Sequence, residues 1–284
     1  MYKRQKEDLE KEYAALVAEY EEVKGKGLKL NMARGKPGED QLNLSRPLLD
    51  VINSSTDCIT AHGADCRNYG ELAGIDECKN FFAEIFDVDP SDVMVGGNSS
   101  LNMMFDTIAG FMTKPVVEGC KPWYEVKNRK FLCPAPGYDR HFAITEYFDF
   151  DLIPVPMTEN GPDMDVVEKL VENDDSIKGI WCVPKYSNPL GITFSDETVK
   201  RFAALKPAAK DFRIMWDNAY CVHDVTDTPD ELLSLMAECR KTGNVDLPIM
   251  FTSTSKITFP GSGVAAMAAS DNNMKVIKNR YQYQ

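Results

Sequence analysis

Histidine is scarce in this sequence: its 284 residues contain only His62, His141 and His223. No two of them lie at the spacing by which paired residues ligate a metal ion. We therefore expect no zinc site, and we expect each histidine to serve the structure rather than catalysis.

Excess positive charge and long apolar runs are also missing. The 32 Lys and Arg residues are outnumbered by 44 Asp and Glu residues, giving a net charge of −12. Nucleic acids and anionic membranes require a basic surface, so neither is an expected partner. No run approaches the roughly 18 apolar residues of a membrane span, and the N-terminus is charged rather than signal-like. These absences predict a cytoplasmic protein.

The cysteines lack the C-x-x-C spacing of redox and metal motifs. There are eight of them, and most lie inside apolar runs such as residues 180–183. This placement predicts buried free thiols in a reducing cytosol rather than a disulfide framework.

The bulk composition is that of a soluble globular enzyme, with 43% hydrophobic and 27% charged residues. The length suffices for one large domain or two ordinary ones. The first five residues, MYKRQ, resemble a translated sequencing adaptor and are left out of the fold prediction. We therefore expect the chain to be a fragment.

Helical periodicity dominates the start of the chain. Residues 6–24 place Leu9, Tyr13, Leu16, Val17 and Tyr20 on one helical face. A loop rich in Gly, Pro and Asn is expected over 31–45, followed by a short helix from residue 46. The apolar spacing over 73–86 predicts another helix.

Beyond residue 90, short apolar runs alternate with helix-like segments. Strands are predicted at 92–96, 129–134, 150–155, 178–183, 212–217, 247–252 and 263–269. Helices are predicted at 99–112, 138–147, 163–172, 195–206 and 229–241. Nearly continuous apolar strands between amphipathic helices indicate an α/β fold of three layers, with a mostly parallel sheet and helices on both faces. In such sheets, binding sites lie at the carboxyl ends of the strands.

Small residues follow the first predicted strand in the segment VGGNSSLNMMFD, residues 95–106. Backbone N–H groups and a helix N-terminus there can hold an anion, although Asn98 or Ser99 can equally be an ordinary helix cap. The segment matches neither G-x-G-x-x-G nor G-x-x-x-x-G-K-[ST], so we expect neither a dinucleotide nor a nucleoside triphosphate.

The next two strand ends carry weaker signals. CPAPGYDRHF, residues 133–142, places Tyr138 where it can stack on a flat ring, although a core position explains it equally well. CVPKYSNPLG, residues 182–191, contains Asn188, which turn chemistry alone can explain.

The last two strand ends carry the strongest chemistry. Asp217 ends the apolar run FRIMWD, and a buried carboxylate is costly without a partner, although it can also cap the next segment. Tyr220 follows three residues later. Lys256 follows another strand in FTSTSKITFPGSG, among hydroxyl residues, either as a solvated loop lysine or as an amine nucleophile. Together these residues are what a pyridine aldehyde phosphate requires.

The ordered segments NMARGKP, NYGELAGI, GGNSSL, PAPGYDRHF, YSNPLG, DNAY and STSKITF carry a family resemblance. The sequence resembles the class I aminotransferases, which are fold-type I enzymes dependent on pyridoxal 5'-phosphate (PLP), and most closely the aspartate aminotransferase group. The resemblance covers the chain from about residue 30 to its end. It implies an N-terminal arm and part of a small domain at 1–48, and a truncated PLP-binding large domain at 49–284. The C-terminal small domain would be absent.

The resemblance also implies roles for individual residues. Lys256 would form the Schiff base, Asp217 would keep the ring nitrogen protonated, and Asn188 and Tyr220 would bond the 3-oxygen. Tyr138 would stack on the ring. Gly97, Asn98, Ser99 and Ser253 would hold the phosphate. Tyr69 would reach the phosphate of a neighbouring subunit, implying a homodimer with shared sites, and Gly35 would lie in the loop over the substrate carboxylate.

The sequence departs from the family pattern in two places. An arginine commonly follows the lysine in a Pro-Gly-x-Arg pattern, but the corresponding residue here is Gly263. The arginine that grips the substrate α-carboxylate belongs to the C-terminal lobe, which this chain would lack.

The expected activity is amino transfer from an amino acid to a 2-oxo acid, with aspartate and 2-oxoglutarate as the expected pair. Lys256 would act as the general base at Cα. Two alternatives use the same fold: a PLP-dependent lyase or decarboxylase, and the PLP-binding effector domain of a regulator. The fragment itself is expected to be inactive.

Overall fold

The computed structural model describes residues 6–30, 36–224 and 226–283, so the segment MYKRQ lies outside the described residues. The chain divides into two compact units, Met1–Arg46 and Pro47–Gln284. Helix α1, Lys6–Gly25, confirms the first predicted helix, and the side chains of its predicted apolar face are exposed.

Helix α2, Glu39–Leu44, corrects the predicted loop over 31–45. Gln41 Oε1 accepts a 2.8 Å hydrogen bond from the Gly38 N–H, and Glu39 and Asp40 lie in the first turn, where negative charge favours a helix. This local capping outweighs the Gly- and Pro-rich composition of the segment.

The second unit contains one eight-stranded sheet. All seven predicted strands are present, and a two-residue strand that the sequence did not predict pairs at the edge. The strands are β1 Val93–Val95, β2 Lys130–Ala135, β3 Asp151–Thr158, β4 Gly161–Pro162, β5 Ile177–Cys182, β6 Arg213–Asp217, β7 Pro248–Ser253 and β8 Ala265–Ala269.

Helices separate most of these strands along the chain. They are α3 Asp76–Phe86, α4 Ser100–Thr113, α5 Asp139–Tyr147, α6 Met164–Asn173, α7 Asp196–Ala203, α8 Leu235–Thr242 and α9 Asp271–Tyr281. The predicted helix from residue 46 is a 3-10 turn, Arg46–Asp50, and α9 was not predicted. Within the described ranges, no helix combines the length and the apolar character needed to cross a bilayer.

Three predicted helix boundaries were wrong for local reasons. Helix α3 begins at Asp76 rather than residue 73, because Gly74 has a φ of +92°, which a helix does not allow. Helix α8 begins six residues after the predicted residue 229, where Ser234 Oγ accepts a hydrogen bond from the Ala237 N–H and caps it. Helix α7 ends at Ala203 rather than residue 206, which precedes a proline and so disfavours helix.

The strand order is β1-β8-β7-β6-β5-β2-β3-β4. The central pairs β7–β6, β6–β5, β5–β2 and β2–β3 are parallel. Strand β8 is antiparallel to both β7 and β1, so β1 runs in the same direction as the central strands. The carboxyl ends of β1, β2, β5, β6 and β7 therefore lie at one edge of the sheet.

The two faces of the sheet carry separate apolar cores. Along β6, Ile214 and Trp216 pack into one cluster, whereas Met215 packs into the other. Along β5, Ile180 and Trp181 divide in the same way. Side chains that alternate between two buried faces define a sheet covered on both sides, which confirms the predicted three-layer α/β fold.

The prediction that the cysteines are buried was only partly correct. None of the eight is joined in a disulfide in this structure. Cys133, Cys182 and Cys239 are buried, but Cys66 is exposed and the other four are half-buried. The exposed thiol lies in a loop segment outside the apolar runs on which the prediction rested.

Candidate active site

A cleft at the carboxyl edge of the sheet gathers side chains from several strand ends. Its lining residues are Ser99, Ser100, Leu101, Tyr138, Val183, Asn188, Asp217, Ala219, Tyr220, Ser253, Ser255 and Lys256. Seven of these are residues that the sequence singled out, and they come together because parallel strands end at the same edge.

Asp217 is the last residue of β6 and is only 4% exposed. Its Oδ2 lies 2.9 Å from Nε2 of His141, and because a carboxylate only accepts, the imidazole donates this bond. Its Oδ1 is buried and has no hydrogen-bond partner among the described residues. A buried carboxylate oxygen without a donor is costly, so the cleft presents an acceptor that suits a cationic N–H donor.

His141 belongs to this site, although the sequence predicted only a structural role for it. It lies on α5, is 1% exposed, and stacks on Trp181 with ring centroids 4.7 Å apart and an interplanar angle of 15°. Tyr138 precedes α5 and meets the His141 ring edge-on at 5.1 Å. These ring contacts fix the imidazole against Asp217.

Tyr220 and Asn188 meet on another side of the cleft. The Asn188 side chain lies close enough to the Tyr220 hydroxyl to influence its pKa. Burial is the largest cause that raises the pKa of Tyr220 above its ordinary value, and the neighbouring Asp217 adds to it, whereas the Asn188 side chain acts in the opposite direction. The raised pKa lets the phenol remain a hydrogen-bond donor to a higher pH than an ordinary tyrosine.

Lys256 ends a 3-10 turn, Thr254–Lys256, that begins directly after β7. Its carbonyl oxygen lies 2.7 Å from His223 Nε2, which anchors the backbone of the turn. The side chain is exposed, lines the cleft and forms no ion pair with the described residues. Its amine is thus free to meet a ligand in the same cleft as Asp217.

Hydroxyl groups line the cleft next to the N-terminus of α4. Ser99 caps α4 by accepting a hydrogen bond from the Asn102 N–H, and Ser253 accepts one from the Ser255 N–H. Ser255 in turn donates to the Asn98 carbonyl at 3.2 Å. A helix N-terminus surrounded by hydroxyls is suited to an anion.

Gly97 and Asn98 are near this cup but are not among the residues that line the cleft. The Gly97 carbonyl accepts a 2.7 Å hydrogen bond from Ala265, and Asn98 Nδ2 donates to the Gly261 carbonyl at 3.3 Å. These bonds join the loop before α4 to β8 and to the segment after Lys256.

Gly263 occupies a position with no space for a side chain. A Cβ placed there would lie 2.7 Å from Thr254 Oγ1. Thr254 Oγ1 is held in place because it accepts a 2.9 Å hydrogen bond from the Val264 N–H. A side chain at position 263 would therefore have to displace Thr254. Lys256 is the only lysine or arginine among the described residues that line the cleft.

The two remaining predicted site residues are apart from the cleft or undescribed. Tyr69 is fully exposed, at 101% of its reference area, and does not line the cleft of its own chain. Gly35 lies outside the described residues.

The residues present fit pyridoxal phosphate. The unpaired Oδ1 of Asp217 matches a protonated ring nitrogen, Tyr220 and Asn188 supply donors for a ring oxygen, and the serine cup matches a phosphate. A free amine in the same cleft matches the aldehyde.

The strand order of the sheet and the helical layers on its two faces match the α/β fold of the PLP-dependent aminotransferases. The solved aspartate transaminase of Corynebacterium glutamicum superimposes with a TM-score of 0.90 at 40% identity, covering 99% of this chain and 66% of that one. At the level of fold alone, a Thermus thermophilus α-aminoadipate aminotransferase solved with N-(5'-phosphopyridoxyl)-L-leucine gives a TM-score of 0.61 at 21% identity, over 76% of this chain and 51% of that one.

Sequence comparison agrees with the structural match. A relative from Mycolicibacterium smegmatis is 45% identical over 270 residues, which are 95% of this chain and 63% of its own length. An aspartate aminotransferase of C. glutamicum is 44% identical over 256 residues, 90% of this chain and 59% of its own length. The chain thus spans about three-fifths of the length of these curated relatives. The aspartate amino-transferase family model matches residues 5–283, and the chain belongs to that family.

Proposed function

We propose that this chain carries the cofactor-binding part of a PLP-dependent aminotransferase that moves an amino group from an amino acid to a 2-oxo acid. The observation that carries the proposal is the buried, unpaired Oδ1 of Asp217 in the same cleft as the free amine of Lys256. The family match supports transamination over the lyase and regulator alternatives.

Each side chain of the cleft would hold one part of the cofactor. Asp217 would accept a hydrogen bond from the ring N–H, and Tyr220 with Asn188 would bond the ring 3-oxygen. Tyr138 would stack on the ring. Ser99, Ser253 and Ser255 with the α4 N-terminus would hold the phosphate, helped by the adjacent backbone of Gly97 and Asn98.

When bound, pyridoxal phosphate supplies a cationic ring that withdraws electrons from the substrate Cα. Lys256 Nζ would hold its aldehyde carbon covalently, and the same amine would move the substrate Cα proton as a general base. Asp217, which His141 orients, would keep the positive charge on the ring nitrogen. The protein thus contributes orientation, charge and one mobile proton carrier.

We assign aspartate and 2-oxoglutarate as the substrate pair, which the named C. glutamicum aspartate aminotransferase supports. We also infer a homodimer in which the exposed Tyr69 reaches the phosphate of the partner's site. Gly35 would belong to the loop above the substrate carboxylate.

Amino exchange tests this proposal directly. The complete enzyme that contains this chain is incubated with PLP, aspartate labelled with 15N and 2-oxoglutarate, and labelled glutamate is followed by mass spectrometry. We expect labelled glutamate from the wild type and from Lys275→Ala, which changes an exposed lysine of α9, and none from Lys256→Ala. Equal labelling by Lys256→Ala and the wild type would contradict the assignment, and ammonia or carbon dioxide released in place of glutamate would favour a lyase.

A further inference from the structure

A short antiparallel hairpin before α3 places two cysteines opposite each other. The Cys66 N–H donates to the Cys58 carbonyl at 2.9 Å, and the Thr60 N–H donates to the Ala64 carbonyl at 2.8 Å. The two residues between these bonds form an antiparallel bridge. Cys58 and Cys66 therefore occupy a directly opposed, hydrogen-bonded pair position, where both side chains point to the same face.

The turn of the hairpin fixes this register. Three residues connect the strands, the Gly63 N–H donates to the Thr60 carbonyl at 2.9 Å, and Gly63 has a φ of +85°. A three-residue hairpin loop with glycine in the left-handed region is a common connection that sets the pairing of its strands. If the strand pairing slipped by one residue, a residue with a side chain would have to adopt the positive φ that Gly63 has here.

The tip of the hairpin is also attached to the start of α3. The Ala61 N–H donates to Glu77 Oε1 at 2.8 Å, and this bond is the largest cause of the lowered pKa of Glu77. His62 Nδ1 lies 2.8 Å from Asp76 Oδ2. With its tip held, the hairpin keeps its two cysteines at its open end.

The Cα separation across such a pair lies in the range of a disulfide. Opposed residues in a hydrogen-bonded pair have Cα atoms about 5.5 Å apart, and disulfides span Cα separations of roughly 4.4–6.8 Å. Their Cβ atoms, up to about 5.5 Å apart, must approach by about 1 Å to reach the roughly 3.5–4.5 Å of a disulfide. Only one hydrogen bond joins these two described residues at this open end of the hairpin. Cys66 is exposed and Cys58 is half-buried, so a small oxidant can reach both. Exposed disulfides are the ones that reducing agents open readily.

We propose that Cys58 and Cys66 are a redox-responsive pair that forms a reversible intramolecular disulfide across this hairpin. With hydrogen peroxide as oxidant, the more exposed Cys66 Sγ attacks one peroxide oxygen and becomes a sulfenic acid, releasing water. Cys58 Sγ then attacks that sulfur and displaces its oxygen as a second water. Two thiols lose two electrons and two protons, and a dithiol reductant reverses the step.

The bond would tie down the segment that leads to Tyr69. Arg67 continues directly from Cys66 and makes a bidentate pair with Asp65, at 2.8 Å from Nε to Oδ1 and 2.7 Å from Nη2 to Oδ2. The disulfide itself does not depend on the proposed enzymatic function, so the two can fail separately.

A protease that cleaves on the N-terminal side of aspartate distinguishes the disulfide-linked form from the reduced form. It yields separate peptides 57–64 and 65–75, with one cysteine each. The folded protein is treated with a slight excess of hydrogen peroxide, alkylated with N-ethylmaleimide, digested and measured by mass spectrometry, with and without dithiothreitol. We expect the two peptides to be joined, at least about ten-fold more often than either is joined to another cysteine, because the effective concentration across the hairpin is high.

The link should disappear with dithiothreitol and in Cys66→Ser, and it should persist in Cys120→Ser, which removes a half-buried cysteine elsewhere. Recovery of both wild-type peptides as separate alkylated or over-oxidised species would overturn the proposal. So would cross-links from Cys58 and Cys66 to the other cysteines at comparable levels.

Discussion

His141 Nε2 lies 2.9 Å from Asp217 Oδ2, and this bond leaves Oδ1 of the same buried carboxylate without a partner among the described residues. One oxygen is therefore bonded within the protein, and the other is a buried acceptor without a donor, in a residue that lines the cleft. Since the His141 ring is stacked on Trp181, the carboxylate is held in one orientation.

Replacing the carboxylate by an amide tests the charge of this group. We expect Asp217→Asn to keep the fold and the bond to His141 but to lower the rate of aspartate turnover by about 10²-fold or more, because a neutral amide does not hold a cation on the ring nitrogen. Steady-state kinetics of the complete enzyme that contains this chain, with saturating PLP, measure the loss.

Asp211, equally buried and two residues before the start of β6, provides the contrast. It pairs with Lys178 at 2.8 Å and accepts a bond from Trp123 Nε1 at 2.9 Å. Asp211→Asn should lower the free energy of unfolding by roughly 3–5 kcal/mol, since it leaves a buried ammonium group unpaired, and should keep the rate per folded molecule. Near-native turnover by Asp217→Asn would contradict the role of its charge.

The packing at Gly263 gives a stability prediction. Gly263→Ala should cost about 1–3 kcal/mol of unfolding free energy, because its Cβ would press on Thr254 Oγ1. Gly261→Ala is the matched control, since no atom lies within 4 Å of a Cβ placed there. Urea unfolding measures both. An equal, small effect of the two substitutions would show that Thr254 yields freely, and that an arginine at 263 is not excluded by packing.

Much of this site was predictable because each strand end has a recognisable local sequence pattern. The apolar run before Asp217 and the hydroxyl-rich segment around Lys256 are features of short windows, and the parallel sheet brings them together. His141 carried no such signal, because it lies 76 residues before Asp217 and occupies an ordinary helical position. The space at Gly263 likewise depends on Thr254 across a tertiary contact.

Local chemistry that competes with composition accounts for the errors in the fold. Helix α2 forms within a Gly- and Pro-rich segment because its own side chains cap and charge its first turn. The hairpin around Gly63 has only one bridge, too short for a strand pattern to predict. Such features depend on single hydrogen bonds rather than on periodicity.

Alkaline pH should destabilise the fold through its buried thiols. Burial raises the pKa of Cys133 and of Cys239 from 9.0 to about 12. Because the folded state holds these protons more tightly, their contribution is complete below pH 9 and is lost as the pH rises toward 12. Each thiol should add ~1.4 kcal/mol per pH unit to the fall in unfolding free energy across that window.

Urea unfolding under reducing conditions between pH 8 and about 11 measures this slope, a window set by the thiol pKa values. The double variant Cys133→Ala/Cys239→Ala should flatten the dependence on pH, whereas the exposed Cys66→Ala should leave it unchanged. A wild-type free energy that stays constant across the window would refute the prediction.

Complementation tests the inferred homodimer. Tyr69→Ala and Lys256→Ala variants of the complete enzyme should each be inactive alone. Mixing them should restore up to about a quarter of the wild-type activity, the share expected for one intact shared site in half of the dimers. Unfolding and refolding the mixture allows subunits to exchange, and mass spectrometry under native conditions counts the mixed dimers. Confirmed mixed dimers without activity would argue against a shared site.

Borohydride reduction provides the most direct measurement of the central claim, that Lys256 holds the cofactor covalently opposite Asp217. The protein is incubated with PLP, reduced, digested and mapped by mass spectrometry. We predict a phosphopyridoxyl group on Lys256 at near-stoichiometric yield in the wild type and in Lys275→Ala. A modification spread over several lysines, or one that persists at full yield in Lys256→Ala, would contradict the account.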